Sequence, residues 1–403
     1  MSLLVCLCLQ AAGPELRGGW LAHDTIDTED RRAATVRKFK RARLNTAFVA
    51  VPPLNGNYGT SDAAGFGAFL ADAKAAGISV HAWFQNFKRQ GEATQADFTS
   101  ATEREAQKKW VLDLLAAYPG LDGVQLDYIR YSTWEACAAA KMQGVAETVR
   151  LIREAIRPRP LTAAVFNAAA ISYRGWKPTW EGDVPQWYRD WYAADANNYY
   201  VRKANEPGNN PNWLLGPSFT SYQQDPPAWL KAGLLDASVS MQYTHVDQTW
   251  QNEVQIWKSF LTHQGVGHDK AYLGLGWMAA TQWFEDSAFD APALVRFIKY
   301  GRAQGIKGFV IFRLGQPGVD DTPLLDALSV DGPANGNDAP FETDVASPLR
   351  GTAPSPPAPA PPPPAGSPAG GSSKGGEGCG ATGLEPFLAL ALAAARRAVY
   401  LNP

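Results

Sequence analysis

The feature that most constrains this fold is a regular alternation of short apolar runs with helix-like segments between residues 16 and 328. Strands that alternate with helices pair in parallel. Eight such units predict a (β/α)8 barrel, whose usual size is about 250 residues plus insertions. A doubly wound open sheet is the alternative, but RGGWLAHD at the first strand matches no glycine-rich phosphate loop. The predicted strands span residues 16–21, 45–51, 78–84, 124–126, 161–166, 237–242, 271–275 and 308–312.

The segments between these strands carry helix signals, with one exception. The clearest helix is predicted over residues 102–117, with Thr102 as the N-cap and Glu105 completing a capping box. Residues 168–224 do not fit the repeat and are rich in Trp, Tyr, Asn, Gly and Pro. We predict a long insertion after the fifth strand that covers the strand-end face. Its aromatic residues would serve either a binding loop or a small core of their own.

Composition excludes one class of partner and leaves others open. Hydrophobic residues make up 45% of the chain, which is enough for a large core. A net charge of −2 and a pI near 6.2 give no electrostatic reason to expect a nucleic-acid partner. The 14 Trp and 14 Tyr could stack on sugar rings or fill the core. The four cysteines show no CxxC or Cys/His spacing, so we predict no catalytic metal and no cofactor.

The N-terminus predicts export. Residues 1–13, MSLLVCLCLQAAG, are apolar and end in small residues, which is typical of a signal peptide. A leading buried segment is the alternative. The predicted barrel domain then spans residues 14–335, followed by a Pro/Gly/Ser-rich linker at 336–378 that we expect to be disordered.

The C-terminal segment, residues 379–403, combines Cys379-Gly380, an apolar run and Arg396-Arg397. The run is too short and too rich in alanine for a membrane span. The segment resembles the C-terminal sorting signals of myxobacterial-type surface proteins, although the chain continues through AVYLNP. We therefore expect an exported protein, secreted or at the cell surface or outer envelope, with this tail as a possible membrane or surface attachment. A disordered tail is the alternative.

The strongest functional signal is residues 121–131, LDGVQLDYIRY. A short buried strand there ends in Asp127, and Arg130 follows three residues later. In parallel α/β folds, chemistry gathers at the C-terminal ends of strands. Asp127 is therefore the first candidate for catalysis, with Arg130 close enough to hold its charge or bind substrate. A structural ion pair that closes the loop is the alternative.

Several segments together resemble the bacterial glycosyl-hydrolase-like family 10 proteins, over roughly residues 15–330. The resemblance is carried by RGGWLA, NTAFVAV, GISVHAWF, LDGVQLDYIRY and WLKAGLLDASVSMQYTH. It implies a TIM-barrel protein of the cell envelope that cleaves a bacterial polysaccharide, either peptidoglycan glycan strands or an exopolysaccharide. It also implies that Asp127 is the strand-four acid and that Arg130 and Tyr243 line the same cleft.

The same stretch is similar to the chitinase signature DxxDxDxE, but with differences. Asp122 and Asp127 fit, whereas Gln125 and Ile129 stand where that signature has its middle acid and its catalytic glutamate. The differences argue against chitinase chemistry. The stretch also looks like the strand-four segment of amylases. There the next strand would deliver a glutamate, but here it delivers Asn167.

Glycoside hydrolysis normally uses two carboxyl groups, one protonated and one ionised. Asp127 beside a cation suits the ionised role, as nucleophile or general base. A substrate with an N-acetyl group could supply its own nucleophile, and one acid would then suffice. Asp24 is favoured as the second carboxyl because the first strand opens on the same rim. The full set of candidates for the acid is Asp24, Glu135, Glu181, Asp183 and Asp247.

We predict a glycoside hydrolase, with a non-catalytic glycan-binding surface protein as the alternative. The predicted substrate-binding residues lie at or just beyond strand ends, and they are His23, Trp83, Gln85, Asn86, Tyr128, Arg130, Tyr131, Asn167, Gln242, Tyr243, Trp277 and Arg313.

Overall fold

The computed structural model describes residues 14–51, 63–89, 92–131, 137–167, 171–172, 182–194, 214–215, 219, 222–243, 247–277, 290–316, 318–329 and 339–351. The predicted signal peptide, the terminal segment 379–403 and most of the predicted linker lie outside these residues. So do two candidate acids, Glu135 and Glu181.

Eight parallel strands close into one barrel, which confirms the predicted (β/α)8 fold. Each strand pairs with the next along the chain, and the eighth pairs with the first to complete the ring. The strands are β1 (Leu16–Leu21), β2 (Thr46–Ala50), β3 (Ser79–Gln85), β4 (Gly123–Asp127), β5 (Leu161–Val165), β6 (Ala237–Gln242), β7 (Ala271–Gly276) and β8 (Gly308–Leu314).

Helices surround the barrel and alternate with its strands. Of the described helices, seven lie between or after strands as the repeat predicts, one lies within the insertion after β5, and one short helix follows that insertion and precedes β6. The helices are α1 (Glu29–Arg41), α2 (Ala63–Ala75), α3 (Ala101–Ala117), α4 (Ala139–Ile156), α5 (Gln186–Ala194), α6 (Pro226–Lys231), α7 (Asp247–His263), α8 (Ala291–Ala303) and α9 (Thr322–Leu328).

The predicted N-cap of α3 is wrong by two residues. Ser100 has the extended backbone of a cap, and its hydroxyl accepts from the Glu103 amide at 3.3 Å. The Glu103 carboxylate reaches back to the backbone amide of Asp97. The sequence offers the same Ser/Thr-x-x-Glu spacing at both positions, and Thr102 already lies inside the helix.

The described part of the insertion packs as a small aromatic core. On α5, Tyr188 and Trp191 are buried, and both rings contact Phe260 of α7. Phe219 stacks on Tyr188 with centroids 4.7 Å apart. These aromatic residues therefore fill space between the insertion and the barrel helices, which is the second of the two predicted roles.

Side chains alternate between the barrel interior and the helical layer, because successive residues of a strand point to opposite faces. The interior cluster includes Trp20, Phe48, Trp83 and Val239, whereas Val124 and its outward-facing counterparts pack against helices. Gly274 of β7 leaves room for the large interior rings. A Cβ there would stand 3.3 Å from the Trp20 ring and 3.3 Å from the Tyr243 ring.

Residues 339–351 close the N-terminal end of the barrel. Leu349 inserts into the interior cluster, and its carbonyl lies 3.0 Å from His81 Nε2. Thr46 donates its hydroxyl to Ser347 Oγ at 2.7 Å. At the other end of the segment, the guanidinium of Arg17 lies 4.5 Å from the centre of the Phe341 ring. We call residues 339–351 the floor segment, and the packed chain extends through it to Gly351.

Candidate active site

The alternation along β4 places Asp127 at the open end of the barrel. Gly123, Gln125 and Asp127 face the interior, whereas Val124 and Leu126 pack against helices. Asp127 is 6% exposed, so its carboxylate lies just below the rim. The last residue of a barrel strand is where the fold supports catalysis.

Three donors hold the Asp127 carboxylate. Oδ1 accepts from the Tyr128 backbone amide at 2.7 Å and from Arg130 Nη1 at 3.1 Å. Oδ2 accepts from Trp83 Nε1 at 2.9 Å. These three hydrogen bonds, one of them from a charged guanidinium, fix the orientation of the carboxylate. The geometry suits a nucleophile, a base or a charge stabiliser.

Arg130 is fixed by more than its ion pair. Its guanidinium carbon lies 4.2 Å from the centre of the Tyr128 ring and 4.8 Å from that of the Phe166 ring. Phe166 in turn stacks on Tyr222, with centroids 3.8 Å apart. A planar guanidinium can pack its flat face against aromatic rings, whereas a lysine ammonium has no flat face. Arg130 therefore acts on Asp127 from a rigid position.

Two tyrosines face the same carboxylate. Burial, followed by the negative charge of Asp127, raises the pKa of Tyr128 and raises that of Tyr243 well above its ordinary value. Tyr128 adopts a positive φ of 54°, which turns the chain sharply after β4. Both hydroxyls stay protonated near neutral pH and can donate a hydrogen bond.

Aromatic rings form the base of the cleft. Phe312 on β8 stacks on Tyr243, with centroids 5.0 Å apart. It makes edge contacts with Trp20 at 5.7 Å and Trp83 at 5.9 Å. One layer down, Trp20 donates its indole N–H to Gln125 Oε1 at 2.5 Å. The site is thus a carboxylate set into a mostly apolar, aromatic mouth.

The structure brings five predicted site residues together, namely Trp83, Asp127, Tyr128, Arg130 and Tyr243. Gln85 lies beside them, because it is the register partner of Asp127 on β3 and is half-buried. Arg313 is also half-buried, one residue beyond Phe312, and its backbone amide donates to the Trp277 carbonyl.

Other predicted binding residues direct their polar groups elsewhere. Asn86 donates to Gln107 on α3, and Asn167 donates to the Glu253 carbonyl on α7. Trp277 donates its indole N–H to Asp321. Gln242 donates its side-chain amide to the hydroxyl of Ser240. The Tyr131 hydroxyl donates to the carboxylate of Asp97.

The candidate acids differ in their surroundings. Asp24 lies in the short turn His23–Thr25 after β1, and its Oδ1 is buried with no hydrogen-bond partner among the described residues. The His23 side chain lies outside the described part. Asp183 accepts from the Ala139 amide at the start of α4, and Asp247 pairs with Arg296 on α8. Of the described candidates, Asp24 has the carboxylate with unused accepting capacity.

Sequence reasoning missed some residues that shape the site. Phe312 is the ring that joins Trp20, Trp83 and Tyr243, and Gln224 ties β4 to β5. Gln224 accepts from the Phe166 amide at 3.0 Å and donates to the Ile129 carbonyl at 3.2 Å. A predicted strand end at 312 could have flagged Phe312. No local pattern marks Gln224, because both of its partners are distant in the sequence.

No group of three or more His, Cys, Asp or Glu residues is arranged in the described part of the chain to hold a metal ion. Among the described helices, none combines the length and the apolar composition needed to cross a membrane.

Solved structures that are similar to this chain match it at low sequence identity. A chitinase from Rhizomucor miehei is 14% identical over 77% of this chain and 97% of its own, with a TM-score of 0.47. An endo-1,4-β-D-mannanase from Thermotoga petrophila is 12% identical over 76% of this chain and 90% of its own, with a TM-score of 0.48. The spore cortex-lytic enzyme of Bacillus megaterium is 9% identical over 77% of this chain and 72% of its own, with a TM-score of 0.46.

Those proteins are a chitinase, a mannanase and a spore cortex-lytic enzyme, and at these identities and TM-scores the likeness carries no argument about the function of this chain. No protein-family profile and no curated protein sequence matches the chain. The resemblance to the glycosyl-hydrolase-like family 10 therefore stays a prediction.

Proposed function

We propose that this protein is a glycoside hydrolase that cleaves glycosidic bonds in a bacterial envelope or extracellular polysaccharide. The observation that carries the proposal is Asp127, a nearly buried carboxylate held by three donors at the C-terminal end of β4, above a base of aromatic rings. Aromatic faces bind the apolar faces of sugars, and a fixed anion beside them stabilises the positive charge that develops at the anomeric carbon.

Asp127 takes the ionised role in this mechanism. With its two oxygens held by three donors, it would act as nucleophile or general base, or as the group that stabilises an oxocarbenium-like transition state. Tyr128 and Tyr243, both protonated near neutral pH, would donate hydrogen bonds to the sugar or its substituents.

The proton donor to the leaving group is assigned to Asp24. It follows β1 on the same rim, and one of its oxygens is buried without a hydrogen-bond partner in the described part of the chain. A general acid has to present a carboxyl oxygen that no other protein group occupies, and Asp24 Oδ1 has no such partner among the described residues. If the substrate carries an N-acetyl group that acts as the nucleophile, the protein needs to supply only one acid.

The test is glycan cleavage by the full chain, with peptidoglycan strands with and without stem peptides and with poly-N-acetylglucosamine. We expect the wild type to release fragments, and Asp127→Asn to bind the glycan without cutting it. Asp122→Asn is the matched control, because Asp122 lies at the other end of the same strand and accepts the Val80 amide there. Cutting by Asp127→Asn at the wild-type rate would refute the assignment.

A non-catalytic glycan-binding protein is the second candidate. It is favoured by one observation: the end of β5, where a second acid would be expected, presents Phe166 and Asn167 and no carboxylate. Equal glycan binding by wild type and Asp127→Asn, with no cleavage of any polymer, would support this second candidate.

Export and surface attachment form part of the proposal. They are supported by the apolar N-terminal residues 1–13 and by the Pro/Gly-rich spacer that leads to residues 379–403. Fractionation of cells that express the full chain should recover it in the medium or the outer envelope. Removal of residues 379–403 should shift it to the medium. Recovery of both forms in the cytoplasm would contradict the assignment.

A further inference from the structure

Trp83 does not have the exposure of a sugar-stacking platform. It was expected at the rim because it comes near the end of β3, but it is 6% exposed and belongs to the interior cluster. Its ring makes an edge contact with Phe312, with ring centroids 5.9 Å apart and an interplanar angle of 83°. What the indole offers to the site is its N–H, which points at Asp127 Oδ2.

The register between β3 and β4 explains this contact. Trp83 is paired with Gln125, and Gln85 is paired with Asp127, so the indole reaches diagonally upward from the layer below. Diagonal neighbours on adjacent strands are within reach of long and aromatic side chains. The donor is therefore set by the sheet and not by a loop.

The two oxygens of Asp127 are not equivalent. A carboxylate has about four lone-pair sites, two on each oxygen. Oδ1 already accepts from two protein donors, the Tyr128 amide and Arg130. Oδ2 accepts from Trp83 alone among the described residues. Oδ2 is thus the oxygen with a lone pair left for substrate.

We propose that Trp83 is a positioning residue, whose indole N–H holds Asp127 Oδ2 so that the remaining lone pair of that oxygen faces the reacting sugar. This proposal rests on the proposed glycosidase function and adds the atom that reacts. Without the N–H, the carboxylate could rotate about its terminal torsion and would lose a donor that favours its ionised form.

Trp83→Phe tests the role in catalysis, because it removes the N–H and keeps an aromatic ring against Phe312. The matched control is Trp20→Phe, which removes the other interior indole donor, to the neutral Gln125. We expect Trp83→Phe to lower kcat about tenfold with little change in KM, and to move the acid limb of the pH–rate profile upward by about one unit. Trp20→Phe should leave that limb in place. An unmoved acid limb in Trp83→Phe, or the same shift in both variants, would overturn the proposal.

A second readout does not depend on cleavage. The indole N–H resonance of Trp83 in the intact ¹⁵N-labelled chain is identified by its loss in Trp83→Phe, and that of Trp20 by its loss in Trp20→Phe. At pH 7, Asp127→Asn should move the Trp83 resonance upfield, since a charged acceptor is replaced by a neutral one, and should leave Trp20 unmoved. If the resonance does not respond, the positioning role fails. If it responds but no glycan is cut, the positioning role stands and the glycosidase function fails.

Discussion

Individual residues at the site depend on partners that are remote in the chain. Asp127 takes one donor from β3 and two from the turn that follows β4. Arg130 depends on Phe166 from the end of β5, and through it on Tyr222 from the insertion. The sequence shows that an acid and an arginine are close, but not that the arginine is clamped between rings.

Arg130→Lys tests that clamp. Lysine keeps the charge but lacks the planar group that packs between Tyr128 and Phe166, so the contact with Asp127 should loosen. We expect activity to fall about tenfold, which corresponds to the loss of one charge-assisted hydrogen bond. Arg150→Lys on the outer face of α4 is the control. Steady-state kinetics that show equal effects for the two variants would mean that Arg130 contributes only its charge.

At the scale of single elements, two residues at the start of α3, Ser100 and Thr102, have the same Ser/Thr-x-x-Glu capping signal but different roles. Ser100 caps the helix through the Glu103 amide, and Thr102 lies within the first turn. We expect Ser100→Ala to lower the free energy of unfolding by about 1 kcal/mol, and Thr102→Ala to change it by a few tenths at most. Urea denaturation of both variants measures this difference, and the reverse order would place the cap at Thr102.

Strand β3 carries a buried histidine at its N-terminal half. His81 is 0% exposed, and its Nε2 donates to the Leu349 carbonyl of the floor segment. Burial lowers its pKa to about 4, although the charges of Asp122 and Asp236 act in the opposite direction. Phe48 and Gly123 lie against the same ring.

This lowered pKa predicts acid sensitivity. The unfolded chain binds the His81 proton below about pH 6.5, whereas the folded chain resists it until about pH 4. Stability is therefore full above pH 6.5 and falls as the pH drops toward 4, by about 3 kcal/mol in total. His81→Gln keeps an N–H donor without a titrating group, so it should flatten this part of the stability profile. Parallel urea titrations between pH 4 and 8 that show the same slope in both proteins would exclude His81 as the cause.

For the whole molecule, the barrel is closed at one end by chain that follows the last helix. The floor segment lies beyond the boundary predicted at residue 335, yet Leu349 packs with interior side chains and Ser347 bonds Thr46 on β2. Asn45 also donates to the Val345 carbonyl at 3.2 Å. These contacts seal the end of the barrel opposite Asp127.

Truncation measures the contribution of this closure. A chain that ends at residue 335 exposes the interior cluster at its N-terminal end, whereas one that ends at 351 keeps it covered. We expect the shorter chain to lose several kcal/mol of stability, and Leu349→Ala within the full chain to lose about 2–5 kcal/mol, as for other large-to-small core changes. Equal melting temperatures of the two truncated chains would show that the floor segment is dispensable.

The sequence by itself determined the barrel. The alternation of apolar runs and helical segments gives strand order and parallel pairing, because short right-handed crossovers leave few other arrangements. It also located Asp127, since an acid directly after a buried strand must lie at the C-terminal rim. These are properties of local patterns, so they can be derived from neighbouring residues alone.

Only the tertiary structure decided which strand-end side chains face the cleft and what each one bonds. Trp83 and Trp277 both come at strand ends, yet one turns inward to Asp127 and the other outward to Asp321. The direction follows from the parity of each position relative to the strand register, and a shift of one residue reverses it. The floor segment was likewise invisible to composition, because its contacts join residues about 270 to 300 positions apart in the chain.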